Sequence, residues 1–138
     1  SILTFNSAVE LMESTNSLMK AGKYITTRGY YEAGDLGGAT YKISEKKEGY
    51  GSIQLYNGLY ANLQPDSYTS GGTKWVVLSV KQFGAKGDGI TDDTEALRKA
   101  IYESHITGKM LFFPNGCNCL ISDTLNYYNG EYYEIISW

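Results

Sequence analysis

The stretch that decides the fold is Val80 to Ile101, VKQFGAKGDGITDDTEALRKAI. WVVLSV, from Trp75 to Val80, reads as a buried strand running into it, and Gly84, Gly87 and Gly89 then mark a tight turn where positive φ or close backbone approach penalises a side chain. Asp92 followed three residues on by Glu95 predicts a capping box, each side chain satisfying an otherwise orphaned backbone N–H at a helix start. Asp93 adds negative charge to the same first turn, where it complements the helix dipole. Ala96, Leu97, Ala100 and Ile101 recur at helical spacing as one apolar stripe, with Arg98 and Lys99 turned away from it. The helix is expected to stop at Thr107-Gly108, where glycine accepts the left-handed closing conformation.

Directly after it, MLFFPNGCNCLIS, from Met110 to Ser122, gives an apolar run, a Pro-Asn-Gly turn and an alternating run: strand, turn, strand. Taken together, VKQFGAKGDGITDDTEALRKAI, MLFFPNG and LIS resemble the opening segment of pectate-lyase superfamily proteins, the right-handed β-helices common among bacteriophage tailspikes and appendages. The resemblance covers roughly the second half of the chain. It implies that Val80 onward begins a parallel β-helix and that the protein is a homotrimer. It also implies that catalytic residues, where such proteins have them, come from later rungs.

The rest of the chain bounds the possibilities. Its 138 residues suffice for one ordinary domain or two very small ones, and a hydrophobic fraction of 42% makes it globular. A net charge of −3 and no Lys/Arg cluster argue against nucleic acid as the main partner, because phosphate binding needs a basic face. No apolar run approaches the ~20 residues that cross a bilayer, so no membrane insertion is expected. SILTFNSAVE does not read as a signal peptide and lacks an initiator Met, which suggests a start inside a longer gene product or after processing.

Before the decisive stretch, Ser7 and Glu10 form another capping-box pattern for a short helix over about Ala8 to Thr15, with Phe5 able to staple its start. KYITTR (Lys23 to Arg28) and ATYKIS (Ala39 to Ser44) read as strands. The glycine-bearing loop between them, GYYEAGDLGG, lacks the Gly-Lys-Ser/Thr entry to a helix that a phosphate cradle needs, so it reads as a structural turn. Glu45 to Gly51 suits an exposed loop, and Asn57-Gly58 between Ile53–Tyr56 and Leu59–Leu63 signals a hairpin. Gln64 to Thr73 reads as a polar loop. The fold class expected is therefore mainly β with two short helices (α+β). A small antiparallel β module (1–79) is followed by the capping helix and first coil of a right-handed parallel β-helix (80–138). The order helix, GYY, GGATYKI, NGLYANL also resembles the region preceding the β-helix in many tail proteins of phages that infect Gram-positive bacteria.

Candidate chemistry is sparse. Asp88, Asp92 and Asp93 form the only dense carboxylate group, and polysaccharide-cleaving β-helices use paired carboxylates as acid and base or to bind calcium. Here Asp92 is assigned to the helix cap and Asp93 to the dipole, while glycosidase pairs stand roughly 5 to 9.5 Å apart across a sugar cleft. Gly84, Gly87, Asp88, Gly89, Asp92, Asp93, Glu95, Leu97, Ala100 and Ile101 are accordingly read as turn and cap, and no catalytic residue is assigned. Cys117 and Cys119 would stand on one face of a strand about 7 Å apart, at the edge of disulfide reach, and are expected as free thiols. With His105 the only histidine, neither a tetrahedral metal site nor a Ser/His/Asp set is supported, and no cofactor is expected.

Thirteen tyrosines leave a further possibility open. Tyr30, Tyr31, Tyr127, Tyr128, Tyr132 and Tyr133 occur as adjacent pairs, so one of each pair faces outward from a strand, suited to a subunit contact or a glycan. Asn129-Gly130 signals a hairpin or first coil turn, and an end on Ile135, Ile136 and Trp138 leaves apolar strand residues for a partner chain or further coils to cover. The leading expectation is the N-terminal part of a phage tailspike, fibre or appendage, located in the virion and assembled in the host cytoplasm. Its partners are other tail or neck proteins, with host surface polysaccharide bound through regions beyond this chain. The alternatives are the non-catalytic start of a polysaccharide lyase or hydrolase, and a carbohydrate-binding receptor module.

Overall fold

Apolar and polar positions alternate through the first sixty-odd residues and close one antiparallel-dominated sheet over a short helix. A computed structural model describes residues 2–123 and Leu125. The elements are β1 (Leu3–Phe5), α1 (Ala8–Glu13), β2 (Tyr24–Thr27), β3 (Thr40–Ser44), β4 (Ile53–Gln54) and β5 (Tyr60–Gln64), with sheet order β1-β2-β3-β5-β4. All pairings are antiparallel except β1 with β2, which is parallel. Ile25 in β2 and Tyr41 and Ile43 in β3 point to the same side and are fully buried against Leu11 of α1 and Met19. Fully burying an Ile or Leu stabilises by about 1.5–3 kcal/mol. A one-residue slip would turn all three strand residues to solvent, so the pattern fixes the register.

Helix α1 begins as the sequence predicts, with Ser7 Oγ accepting from the Glu10 N–H at 3.0 Å. It ends at Glu13 because Ser14 is extended, two residues earlier than expected. Asn57-Gly58 turns the chain between β4 and β5, with Gly58 at φ 82°.

The second group comprises β6 (Asp66–Ser70), β7 (Thr73–Ser79), a 3-10 turn (Val80–Phe83), β8 (Asp88–Asp92), α2 (Thr94–Thr107), β9 (Met110–Phe112) and β10 (Asn118–Leu120). Sheet order is β6-β7-β9, with β7 and β9 parallel, and β8 pairs in parallel with β10. Parallel strands need a crossover between them, and α2 lies in the connection of both pairs, β7 to β9 and β8 to β10. Leu97, Ala100 and Ile101 of α2 bury against Leu78, Val80 and Phe83, with Leu125 in the same core. The fold is thus mainly β with two helices, an antiparallel module followed by parallel strand pairs under a helix.

Three strands escape the sequence reading, and one of them, β8, forms within the stretch read as a glycine turn and helix cap, where it pairs with β10. β1 exists by pairing with β2, and β6 forms in the stretch read as a polar loop because Gly71 and Gly72, at φ 58° and 79°, turn it back onto β7. The segment 66–79, which the sequence reading places in the first unit, pairs through β7 with β9 of the second. Tyr127, Tyr128, Tyr132, Tyr133, the Asn129-Gly130 turn and the apolar chain end lie outside the described residues.

Candidate functional site

Of the residues singled out between Gly84 and Ile101, Gly84 and Gly87 fall on the turn, Asp88, Gly89 and Asp92 on β8, and Asp93 to Ile101 on the start and buried face of α2. The turn starts with a capping pair that sequence reasoning missed. Ser79 Oγ accepts from the Lys81 N–H and Gln82 Oε1 accepts from the Ser79 N–H at 3.1 Å, the Ser-x-x-Gln spacing of a capping box. That spacing was visible in SVKQ. The Gln82 amide, almost wholly buried, also donates to Gly38 O at 3.1 Å and Asp66 Oδ2 at 2.9 Å, joining the loop before β3, the start of β6 and the turn.

Gly84 ends the turn in the left-handed region at φ 97°, and a Cβ there would stand 3.1 Å from the Tyr30 ring. The ring is held by its own loop. Asp35 accepts backbone N–H bonds from Tyr30, Tyr31, Glu32 and Gly37, which hold its carboxyl below the usual range against the opposing effect of burial. Tyr31 lies against Tyr30 with ring centroids 4.9 Å apart, donates its hydroxyl to Gly84 O at 2.6 Å and carries the Lys86 ammonium 4.7 Å over its face. Burial raises both phenols, with added repulsion from Tyr31 at Tyr30 and from Asp93 and Asp35 at Tyr31. This tyrosine pair therefore bonds the first module to the glycine turn.

The three carboxylates do not share one task. Asp88 Oδ1 accepts from the N–H groups of Ile90 (2.9 Å) and Thr91 (2.7 Å), and Oδ2 from the Thr91 hydroxyl, tying the turn at Gly89 (φ 73°). Asp92 accepts from the Thr94 N–H at 3.0 Å, the Thr94 hydroxyl and the Ser122 hydroxyl at 2.6 Å. Hydrogen bonds to Thr91 and Ile90 lower Asp88 to about 2, and bonds to Ser122 and Thr94 lower Asp92 likewise to about 2. A general acid needs the opposite shift.

The expected Asp92–Glu95 capping box does not form. Asp92 is the last residue of β8, the N-cap position falls to Asp93, and no side chain caps the helix there. The reason is competition: Asp93, only 2% exposed, turns its carboxylate back to the N–H groups of Lys86 (2.8 Å) and Gly87 (2.9 Å). Glu95 pairs instead with Arg98, whose other guanidinium nitrogen reaches Asp123 at 2.9 Å. The helix end agrees with expectation, with Gly108 at φ 69° after Thr107. Leu97, Ala100 and Ile101 line its buried face.

Beyond the turn, a cleft of about 240 Å³ opens between the first module and α2, with Tyr30, Tyr50, Gln54, Gln82, Phe83 and Lys99 among its lining residues. Tyr50 meets Tyr102 edge-on at 4.5 Å, and its N–H donates to Glu103 of α2 at 3.0 Å. Among the described residues, no three His, Cys, Asp or Glu side chains are grouped to hold a metal ion. No helix there is long and apolar enough to cross a membrane.

A turn-capped helix crossing between parallel strands coincides with a family match. Residues 77–131 match the family described as rhamnogalacturonase A/epimerase, pectate lyase-like. That segment runs from the end of β7 through the glycine turn, α2, β9 and β10. Among curated proteins, the chain is 39% identical over 73 residues to the non-secreted LysM effector LysM19 of Penicillium expansum, a match that takes in 53% of this chain and 6% of that protein. It is 36% identical over 64 residues to LysM15 of the same organism, across 39% of this chain and 4% of that one.

Among solved structures, the chain superposes on Pantoea stewartii WceF, described as a glycan biofilm modifying enzyme with a bacteriophage tailspike-like parallel β-helix fold. The TM-score is 0.55 at 20% identity, over 85% of this chain and 15% of WceF. The Acinetobacter phage vB_ApiP_P1 tailspike gives a TM-score of 0.49 at 24% identity, over 80% of this chain and 18% of the tailspike. The WceF superposition extends beyond residues 77–131 into the antiparallel module, and the likeness is one of fold. This chain spans between 4% and 18% of the length of these four proteins.

Proposed function

We propose that this chain is the N-terminal part of a tailspike, tail fibre or appendage. In this reading residues 1–79 attach the protein to the virion, and the pectate-lyase-like segment opens and caps a right-handed β-helix that continues past it. The protein is a homotrimer docked on tail or neck proteins, and it meets host surface polysaccharide through later coils.

The observation that carries the reading is the state of the two parallel pairs. β9 and β10 end their sheets, so among the described residues the outer edge of each has no strand beside it, while α2 covers the buried side. Bare parallel edges with Met110, Phe112 and Leu120 substantially exposed are a liability unless another coil stacks on them. The tailspike-like fold of WceF supports the same assignment by analogy of fold, which does not by itself fix an activity.

The test is assembly of particles with full-length protein and with protein lacking residues 1–65, which keeps β6 and β7 in place to pair with β9. The shortened protein is expected to trimerise yet stay off the particle; its normal incorporation would remove the attachment role. The rival reading, the non-catalytic start of a polysaccharide lyase or hydrolase, is supported if full-length protein shortens host glycan and its later coils carry the carboxylates responsible. A carbohydrate-binding module is the second alternative. The cleft lined by Tyr30, Tyr50, Gln54 and Lys99 favours it, and titration of this chain with host glycan decides it.

A further inference from the structure

The Cys119 thiol contacts Asp93, the residue that clamps the turn, and the sulfur atoms of Cys117 and Cys119 lie 3.2 Å apart with no disulfide between them. A regular strand would separate residues two apart by about 7 Å between Cα atoms, but here the chain bends. The Cys117 N–H donates to Pro114 O at 3.0 Å, closing the Pro-Asn-Gly turn, and β10 starts only at Asn118. The bend swings Cys117 toward Cys119.

A second feature makes room for the sulfur. A Cβ on Gly87 would fall 2.5 Å from Cys117 Sγ, so only the missing side chain lets the thiol lie against the glycine turn. The Asn118 N–H donates to Gly87 O at 2.8 Å and clamps the two segments together. Both thiols are half-buried beside the second core, which keeps them from another chain more than from each other. A metal reading fails for want of ligands, since two sulfurs with no third donor among the described residues leave a tetrahedral ion unsatisfied.

We propose that Cys117 and Cys119 are a reversible thiol–disulfide pair, closed by a small-molecule disulfide and opened by a reducing thiol, that locks the β9–β10 corner against the Gly87 turn. One thiol loses its proton and its sulfur attacks the oxidant RSSR, forming a mixed disulfide and releasing RS⁻. The other, deprotonated in turn, displaces the second RS⁻, so the S–S bond forms as two RSH leave with both protons. The sulfurs need to approach by roughly 1.2 Å to reach the ~2.05 Å bond. Burial, then the neighbouring Cys117, pushes the Cys119 thiol up to about 12, so closure is slow at neutral pH and quickens in alkali. The pair is reduced in a cytosol and oxidised outside it.

The experiment incubates the intact chain with oxidised glutathione, then denatures it and titrates thiols. Closure predicts loss of both alkylatable thiols, a mass lower by two hydrogens, a single-chain band without reductant, and recovery of both thiols with a phosphine. The Cys117→Ser and Cys119→Ser chains should each instead retain one glutathione. Two titratable thiols after oxidation, stable glutathione adducts on the unaltered chain, or a disulfide between chains would each overturn the proposal.

Discussion

Replacing Asp93 by alanine separates a helix-cap role from a turn-clamp role. If Asp93 merely faced the helix dipole, its loss would cost a few tenths of a kcal/mol to about 1 kcal/mol. In the structure its carboxylate is the partner of two backbone N–H groups, Lys86 and Gly87, in a site where Asp93 is 2% exposed. A bond to a charged group is worth about 1.5–3 kcal/mol, and an amide left buried without a partner costs about 1–3 kcal/mol. Relief of the carboxylate's own desolvation offsets part of this, leaving a net loss of about 2–4 kcal/mol. For a chain of 138 residues that is a fall in melting temperature of roughly 8–15 °C.

Asp93→Asn, which keeps one acceptor, should fall between Asp93→Ala and the unaltered chain. Asp92→Ala should be the milder of the two alanine changes, since Asp92 lies at the surface. Circular-dichroism melts give the order, and amide hydrogen exchange at Lys86 and Gly87 should accelerate specifically in Asp93→Ala. A melt of Asp93→Ala within about 2 °C of the parent, or a larger loss from Asp92→Ala, would refute the clamp.

Other consequences follow from burial and charge. Leu97→Ala, at a site 3% exposed, should cost about 2–5 kcal/mol in urea unfolding, and Leu97→Asp should leave the second core unformed; an unchanged melt for the latter would discard the helix cover. Asp88 and Asp92 are each lowered to about 2 and Asp35 is lowered too, so the folded chain takes up their protons less readily than the unfolded one. Their stabilisation is then complete above about pH 5 and drains away between about pH 4 and 2. Melts across that range should show the decline, and Asp88→Asn with Asp92→Asn should flatten it. Tyr41 is fully buried and its hydroxyl meets only the Thr27 side chain among the described residues, so Tyr41→Phe should change stability by less than about 1 kcal/mol; a larger loss would show a strong bond to Thr27.

Much of this was written locally in the chain. Ile25, Tyr41 and Ile43 alternate with polar neighbours, so period-2 burial specified their strands, and Ser7 with Glu10 specified the start of α1. Leu97, Ala100 and Ile101 predicted the buried face of α2, and Gly108 its end. β6 was harder because DSYTS has no apolar side to read, and the Gly71-Gly72 turn that folds it onto β7 was its only local sign. The short β1 had none, since its partner β2 lies some twenty residues away.

For the decisive stretch, the sequence by itself determined that a glycine turn enters a helix with an apolar stripe, because dihedral preference and helical periodicity are local properties. The tertiary structure alone decided which aspartate does what. Spacing assigned the cap to Asp92 with Glu95 and the dipole to Asp93, but the donors that Asp93 meets are the Lys86 and Gly87 amides, and those of Asp92 include Ser122 from beyond β10. Only folding brings these donors within reach, and a carboxylate binds the amides it meets when water is excluded.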